Sequence, residues 1–330
     1  MKPFTTLEFP VELPVVKKGD RWIARAGDRE LRLSNLDKVY WPREGLTKGD
    51  LLTYYFNVSP TMLPHVHDRP LTLKRMPNGV DEEFFYEKNA PAHRPPWMPT
   101  LPVAAEAGTK IINFLTVHDV TQMLWIANLG CIEFHPLHAR GENQTHPSYA
   151  FFDLDPFEPA GWPEVAHVAA LIKVVLDKLG IVAYPKTSGA TGMQIMVPLD
   201  GTIDYDMVRG FVGEVSDLVH TADPETTTLE WEVKKRTGKV FLDVNMNREG
   251  ANIAAAYSVR PEPGGTVSTP LRWAEVSDVA PSEFDMETVF ARIAEVGDPF
   301  LPVAEGPGQS LTRAIAELGA QPRKARVIKT

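Results

Sequence analysis

The sequence predicts an α/β fold of the α+β kind, with mixed β-sheets flanked by helices and a β-rich N-terminal part. Three observations carry this. From about residue 108 short apolar strands alternate with helix-patterned stretches, as in sheets covered by helices. Between Trp162 and Leu179, the residues Val165, Val168, Ala169, Ile172, Val175, Leu176 and Leu179 fall on one helical face. Before residue 47 the pattern is instead one of short alternating segments around turn residues. The 330 residues suit one large domain or two ordinary ones. We divide them into a lead-in at 1–20, a single domain at 21–304, and a tail at 305–330 that is Gly/Pro-rich and then basic.

The elements follow in order. Arg21–Arg25 and Leu31–Leu33 alternate on either side of Gly27-Asp28, which reads as a hairpin. Thr47 to about Leu63 reads as a helix, because Thr47 and Asp50 have the spacing of a capping box. Pro70–Met76 and Glu83–Glu87 read as strands around the turn residues Pro77-Asn78-Gly79. Strand, helix and strand are then expected at Ile111–Val117, His118–Leu129 and Cys131–His135, and a polar loop at 139–148. Ala150–Leu154 is a strand ending in acids. In the Trp162–Leu179 helix Pro163 falls in the first turn, where a missing N–H does no harm, and Gly180 stops it. Ile181–Pro185 and Met193–Pro198 flank a Ser-Gly-Ala-Thr-Gly turn, Asp206–Thr221 is a second amphipathic helix, and Val240–Val244 is a strand.

Bulk properties narrow the function classes. The net charge is −9, the wrong sign for coating nucleic acid, although local basic tracks remain open. The single cysteine, Cys131, has mostly apolar neighbours and cannot form a disulfide within the chain. This suits a reducing, cytoplasmic setting. No apolar run of membrane-spanning length or signal-peptide core is present in the sequence, so no membrane partner is expected. The basic tail residues Arg323, Lys324, Arg326 and Lys329 read either as solvated charge or as an auxiliary phosphate contact.

The chemistry concentrates at Phe152-Asp153-Leu154-Asp155-Pro156. Residues two apart on a strand share a face, so Asp153 and Asp155 project together at the end of an apolar strand. Two such carboxylates repel, and a divalent ion relieves the conflict. A solvated Asp-x-Asp-Pro turn is the competing reading. Asp243 lies in a second apolar strand, where a lone acid is costly unless metal-bound or paired, here with Arg236 or Lys239. A strand pair plus one distant strand acid suits two-metal phosphoryl transfer with Mn²⁺ or Mg²⁺. Ser188-Gly189-Ala190-Thr191-Gly192 is either a phosphate-binding loop or a plain hairpin. Lys74, Arg75, Lys88 and Arg260 follow strand-like segments as free charges or anion contacts, and His135 is either a structural histidine or a triphosphate contact.

Together these pieces resemble the polymerase domain of bacterial DNA ligase D, a branch of the archaeo-eukaryotic primase superfamily. The resemblance runs from about Leu33 to Trp273. It rests on Phe152-Asp153-Leu154-Asp155-Pro156, on Ser188-Gly189-Ala190-Thr191-Gly192-Met193-Gln194, and on Asp243. Flanking matches are Trp41-Pro42, Gly45-x-Thr47-Lys48-x-Asp50, Arg69-Pro70-Leu71, Phe85-Tyr86-Glu87-Lys88 and Tyr257-Ser258-Val259-Arg260. The fold implied is a primase-like catalytic core. Gln194 departs from the family's histidine, Thr191 stands where some members have lysine, and Met246 where glutamine often follows the third acid.

The resemblance implies roles. Asp153, Asp155 and Asp243 hold two metal ions. Lys74, His135, Ser188, Gly189, Thr191, Gln194 and Arg260 hold the incoming nucleotide, an NTP or dNTP. Asn35, Lys38 and Lys48 grip a 5′-phosphate on downstream DNA, and Phe85 and Tyr86 stack near the template. Lys88 and Arg236 are further DNA contacts. The implied activity is template-directed nucleotide addition, preferring ribonucleotides, at gapped, recessed or broken DNA ends during end joining. Ku and a DNA ligase are the implied partners. De novo priming and non-catalytic bridging of DNA ends are the alternatives.

Overall fold

The computed structural model describes residues 10–19, 21–26, 29–104 and 110–326. Strands β1 (Val15–Lys18), β2 (Arg21–Ala26) and β3 (Arg29–Leu33) form an antiparallel sheet in that order. The predicted hairpin is therefore present, while its Gly27-Asp28 turn lies outside the described residues. β1 falls within the stretch expected to be an irregular lead-in. It escapes a periodicity reading because most of its side chains are exposed and backbone pairing with β2 holds it.

A short hairpin, β4 (Val39–Trp41) and β5 (Leu46–Thr47), leads into α1 (Lys48–Val66). Thr47 and Asp50 form the predicted capping box: Thr47 Oγ1 accepts from Asp50 N at 3.2 Å, and Asp50 Oδ2 accepts from Thr47 N at 2.7 Å. Such caps stabilise a helix by about 1 kcal/mol. The helix runs one turn beyond the predicted end, through Pro60 and Pro64. Pro60 leaves the Phe56 carbonyl without its helical donor. Ser59 Oγ supplies one at 2.8 Å.

The second sheet is built from β6 (Leu71–Arg75), β7 (Phe85–Glu87), β8 (Thr100–Ala104), β9 (Ile111–Leu115) and β10 (Cys131–Pro136), with α2 (Val120–Asn128) packed beside α1. Its order is β10-β6-β9-β8, and β7 pairs with the end of β6 that carries Lys74 and Arg75.

The third sheet combines β11 (Tyr149–Pro156), β12 (Tyr184–Thr187), β13 (Met193–Pro198), β14 (Thr227–Thr228) and β15 (Val240–Leu242) in the order β12-β13-β11-β15-β14. Helices α3 (Trp162–Lys178) and α4 (Tyr205–Ala222) cover one face. Ala150, Phe152 and Leu154 enter the core beneath these helices, whereas Tyr149 and Phe151 enter the core shared with α1 and the second sheet. The two-residue period then puts Asp153 and Asp155 on the Phe151 face, towards the second sheet.

Three helices follow: α5 (Thr288–Val296), α6 (Leu301–Glu305) and α7 (Thr312–Leu318). Composition suggested a solvated tail after residue 305. The described part docks instead. Leu311 and Ala314 are buried in the α3–α4 core, and the Gln309 side chain bonds both the N–H and the carbonyl of Val182. Two helical turns are too short to show a periodic face in sequence. No described helix is long and apolar enough to cross a membrane.

Candidate active site

β11 sits at the middle of the third sheet and presents the two predicted acids at its end. β15 pairs alongside with Leu242 opposite Leu154. The predicted strand stops there rather than at Val244. The Asp243 N–H donates to the Asp153 carbonyl at 3.1 Å, and the Asp243 carboxylate caps a 3₁₀ turn by accepting from Asn245 N at 3.0 Å. That turn swings the third acid towards the first two.

The three carboxylates feel one another. Burial, then the charge of Asp155, pushes Asp153 well above the ordinary carboxylate range. Burial and Asp243 raise Asp155 to about 6, against the opposing pull of Arg236 and Arg260. Burial also raises Asp243. Crowded buried acids of this kind are under strain that a bound cation removes. Their donors are all oxygen, the set preferred by Mg²⁺ and Mn²⁺. The residues present therefore fit a divalent metal centre.

Gln194 lies directly across the sheet from Asp153. Its Nε2 donates to Asp153 Oδ1 at 2.8 Å, while its Oε1 accepts from Lys186 Nζ at 2.8 Å. Lys186 is fully buried and also donates to Ser268 Oγ at 2.6 Å. Burial, then the charge of Arg260, lowers its pKa to about 7. The sequence reading assigned Gln194 to the nucleotide, yet the structure turns its amide onto a carboxylate of the acidic cluster.

A second cluster converges on Glu133, a residue the sequence reading missed. Glu133 and His135 alternate onto one face of β10, with Lys74 of β6 opposite Glu133. Lys74 Nζ bonds Glu133 Oε1 at 2.5 Å, and His135 Nε2 donates to Oε2 at 2.8 Å. Arg260 Nε stands 3.0 Å from the same Oε2, too bent for a hydrogen bond, and its Nη1 donates to the Ser188 carbonyl at 2.7 Å. Burial opposes the Glu133 charge, but the His135 hydrogen bond and the Arg260 charge outweigh it and hold the pKa near about 2.

The Ser188 loop packs against this cluster. Ser188 Oγ accepts from the N–H groups of Ala190 and Gly192, so it closes its own turn. Gly189 has φ +75°, and a Cβ there would lie 2.6 Å from Arg260 Cγ. Only glycine lets the loop approach so closely. Thr191 lines a separate cleft with Pro156, Trp162 and Pro281, so the structure does not bring it to the cations.

Other predicted residues are spread around this centre. Phe85 and Tyr86 are exposed on β7. Arg75 stacks on Phe85, and the Tyr86 ring lies 6.0 Å from that of His135. Lys88 is exposed beyond them. Arg236 stacks on Phe241 at 3.5 Å and bonds the carbonyls of Glu230 and Trp231. Its charge acts on Asp243 and Asp155 from beside the centre.

Asn35, Lys38 and Lys48 meet at the N-terminus of α1. Asn35 takes a left-handed φ of +54° and accepts from Lys38 N. Lys38 Nζ donates to Asn78 Oδ1 and the Pro77 carbonyl. Lys48 is buried and donates to the Ser34 carbonyl at 2.9 Å. Burial, then the Lys38 charge, lowers its pKa to about 8.

A family model described as "LigD, primase-polymerase domain" matches residues 47–300, most of the chain. The chain belongs to this family. Its members are metal-dependent nucleotidyltransferases. Among relatives, the multifunctional non-homologous end joining DNA repair protein LigD of Mycobacterium tuberculosis is 34% identical over 281 residues, covering 83% of this chain but 37% of the relative. The bifunctional non-homologous end joining protein LigD of Bacillus subtilis is 31% identical, covering 87% of this chain and 46% of the relative. The chain thus spans less than half of either protein. Among solved structures, the polymerase domain of M. tuberculosis ligase D in complex with DNA aligns with a TM-score of 0.78 at 33% identity, covering 83% of this chain and 98% of that one.

Within a LigD polymerase-type fold, the missed residues have readable causes. Glu133 and Lys186 are charged residues in largely buried strands, a position that demands buried partners. Lys74, Arg260 and Ser268 come from distant segments, so sequence spacing does not name them, although the two-residue spacing of Glu133 and His135 is itself a local signal. A further set, His67, Asp68 and His118, has ligand atoms within 4.8 Å of one another but is exposed, at the opposite end of β6 from Lys74.

Proposed function

We propose that this chain is a template-directed polymerase that adds nucleotides, ribonucleotides preferentially, to primer 3′ ends at gaps and breaks in DNA. The carrying observation is the convergence of Asp153, Asp155 and Asp243 beside a cation cluster built on Glu133. Asp153, Asp155 and Asp243 hold two Mn²⁺ or Mg²⁺ ions, which when bound lower the pKa of the primer hydroxyl and neutralise phosphate charge.

The chain's own residues do the rest. Lys74 and Arg260 face the triphosphate and offset the charge that grows on the departing pyrophosphate. Glu133 keeps both cations in register, and His135 braces the Glu133 carboxylate from the same strand. Gln194 holds the Asp153 carboxylate in one orientation. Phe85 and Tyr86 offer exposed rings on which template bases stack without regard to sequence. Lys48 and Lys38, at the α1 N-terminus, take the 5′-phosphate of the downstream strand.

The relatives' place in non-homologous end joining supports double-strand break repair as the setting, with Ku and a DNA ligase as partners at the nucleoid in the cytoplasm. Primer extension on a gapped, 5′-phosphorylated duplex tests the reading. We expect template-matched addition with Mn²⁺ or Mg²⁺, faster with ribonucleotides than with deoxyribonucleotides. Binding of the duplex with no addition under either metal overturns it in favour of an end-bridging role. Dinucleotide synthesis on an unprimed single strand favours a primase.

A further inference from the structure

We propose that the basic segment from Arg323 to Arg326 forms a phosphate-binding wall for the primer strand, on the Asp243 side of the active site. The inference rests on the polymerase reading. The family match ends at residue 300, before this segment begins.

The order of strands sets the direction of approach. Across the third sheet, Ser188 at the end of β12 and Gln194 on β13 lie on one side of Asp153 and Asp155, and Asp243 at the end of β15 lies on the other. The Lys74–Arg260–Glu133 cluster belongs to the Ser188 side, through the Arg260–Ser188 bond. Nucleotidyl transfer proceeds in line, with attacking hydroxyl and leaving pyrophosphate on opposite sides of the phosphorus. With triphosphate-binding cations on the Ser188 side, the primer enters from the Asp243 side.

That side is already shaped. A cavity of about 250 Å³ opens there, lined by Trp231, Phe241, Asp243, Asn245, Lys324 and Arg326 among others. Trp231 is 39% exposed and suits stacking with a base or sugar.

The segment is held in place by contacts that consume one cation and spare two. α4 carries Gly210 and Gly213 where the segment passes. A Cβ on Gly210 would lie 2.1 Å from the Gln321 carbonyl oxygen, and one on Gly213 would lie 2.3 Å from the Arg323 guanidinium. Arg323 is neutralised by Glu214 at 2.8 Å and Asp217 at 2.6 Å. Its backbone N–H donates to the Asp206 carbonyl, and its carbonyl accepts from Arg209. Arg326 N then donates to Asn245 Oδ1 at 3.0 Å, two residues from Asp243. The Lys324 and Arg326 side chains are exposed and make no ion pair among the described residues. Two exposed cations without an ion pair among the described residues, beside a cavity that reaches the third acid, suit the phosphodiester backbone of an entering strand.

The test compares wild type with Lys324→Ala/Arg326→Ala, which keeps the Arg323 anchor and the backbone bond to Asn245. Fluorescence anisotropy follows binding to a primer–template with a recessed 3′ end, and to the single-stranded template alone, across a salt series. A thermal melt that matches wild type establishes that the fold is kept. We expect affinity for the recessed end to fall about tenfold at low salt, with a salt slope shallower by roughly one to two phosphate contacts, and single-strand affinity to stay unchanged. Superimposable wild-type and variant curves overturn the proposal. Equal loss on both DNAs also overturns it, because the segment then binds DNA without selecting the primer. Extension by wild type is scored in parallel. If the recessed end binds through these residues but is never extended, the polymerase reading fails while the contact stands.

Discussion

Gln194 Nε2 donates to Asp153 Oδ1 at 2.8 Å, and the amide is held in that sense by the Lys186 ammonium on its oxygen. This chain therefore uses a neutral side chain, oriented by a buried lysine, to hold a carboxylate of the proposed metal centre. Gln194→Leu leaves both Asp153 Oδ1 and Lys186 Nζ without this partner. Unpaired buried polar groups cost about 1–3 kcal/mol each. Chemical denaturation should show a loss of that order, with a fall in kcat larger than any change in KM. Wild-type stability in this variant would mean that the relay is not structural.

Glu133 makes a prediction with a pH window. Its folded pKa, about 2, lies below the ordinary carboxylate value near ~4.3. The stability it contributes is present above the unfolded value and is lost as pH falls towards the folded one. Glu133→Gln should be less stable than wild type at pH 7 by about 3 kcal/mol, and the two should converge between pH ~5 and pH ~2. Nucleotide KM should rise as Lys74 and Arg260 lose their common anchor. A constant stability gap across that range would contradict the assignment.

The proposed metal centre has the opposite sign. Asp155 is raised to about 6 in the folded protein, so the metal-free fold binds more protons than the unfolded chain and loses stability as pH rises from ~4 through 6. Asp155→Asn removes one crowded charge. The metal-free melting temperature should rise above that of wild type at pH 7.5, and the gain on adding Mn²⁺ should shrink or vanish. Equal Mn²⁺-induced shifts in both proteins would remove Asp155 from the metal centre.

Lys48 offers a test of the downstream DNA contact. Its pKa, lowered to about 8 by burial and by Lys38, means that it must take up a proton to meet a phosphate at higher pH. The preference for a 5′-phosphorylated over an unphosphorylated gap should weaken above pH 8, by up to about tenfold per unit. Lys48→Met should abolish the preference at any pH. A ratio that stays flat from pH 7 to pH ~9.5 would place the phosphate elsewhere.

Much of this was legible in the chain. Asp153 and Asp155 declare themselves because strand period and charge repulsion both operate within three residues. The α1 cap is equally local. Glu133 was not read, because two of its three partners, Lys74 on β6 and Arg260 in a distant loop, are far away in sequence; only its two-residue spacing from His135 was local. Asp243 was expected on a strand, but the backbone leaves the sheet one residue earlier, and the resulting turn aims its carboxylate. β1 has no alternating apolar signal, because only Val15 of its four side chains packs on the core and pairing with β2 supplies the rest. The tail reads as solvent-loving in composition, yet two glycines on α4 and one arginine tie it down.

The central claim is that Asp153, Asp155 and Asp243 form one metal centre for nucleotide addition. Single-nucleotide incorporation at a gapped, 5′-phosphorylated duplex, with Mn²⁺ and each of Asp155→Ala and Asp243→Ala, tests it most directly. The account predicts that both variants bind the gap within a few-fold of wild type and that incorporation falls by about 10³-fold or more. Incorporation within tenfold of wild type in either variant would contradict it.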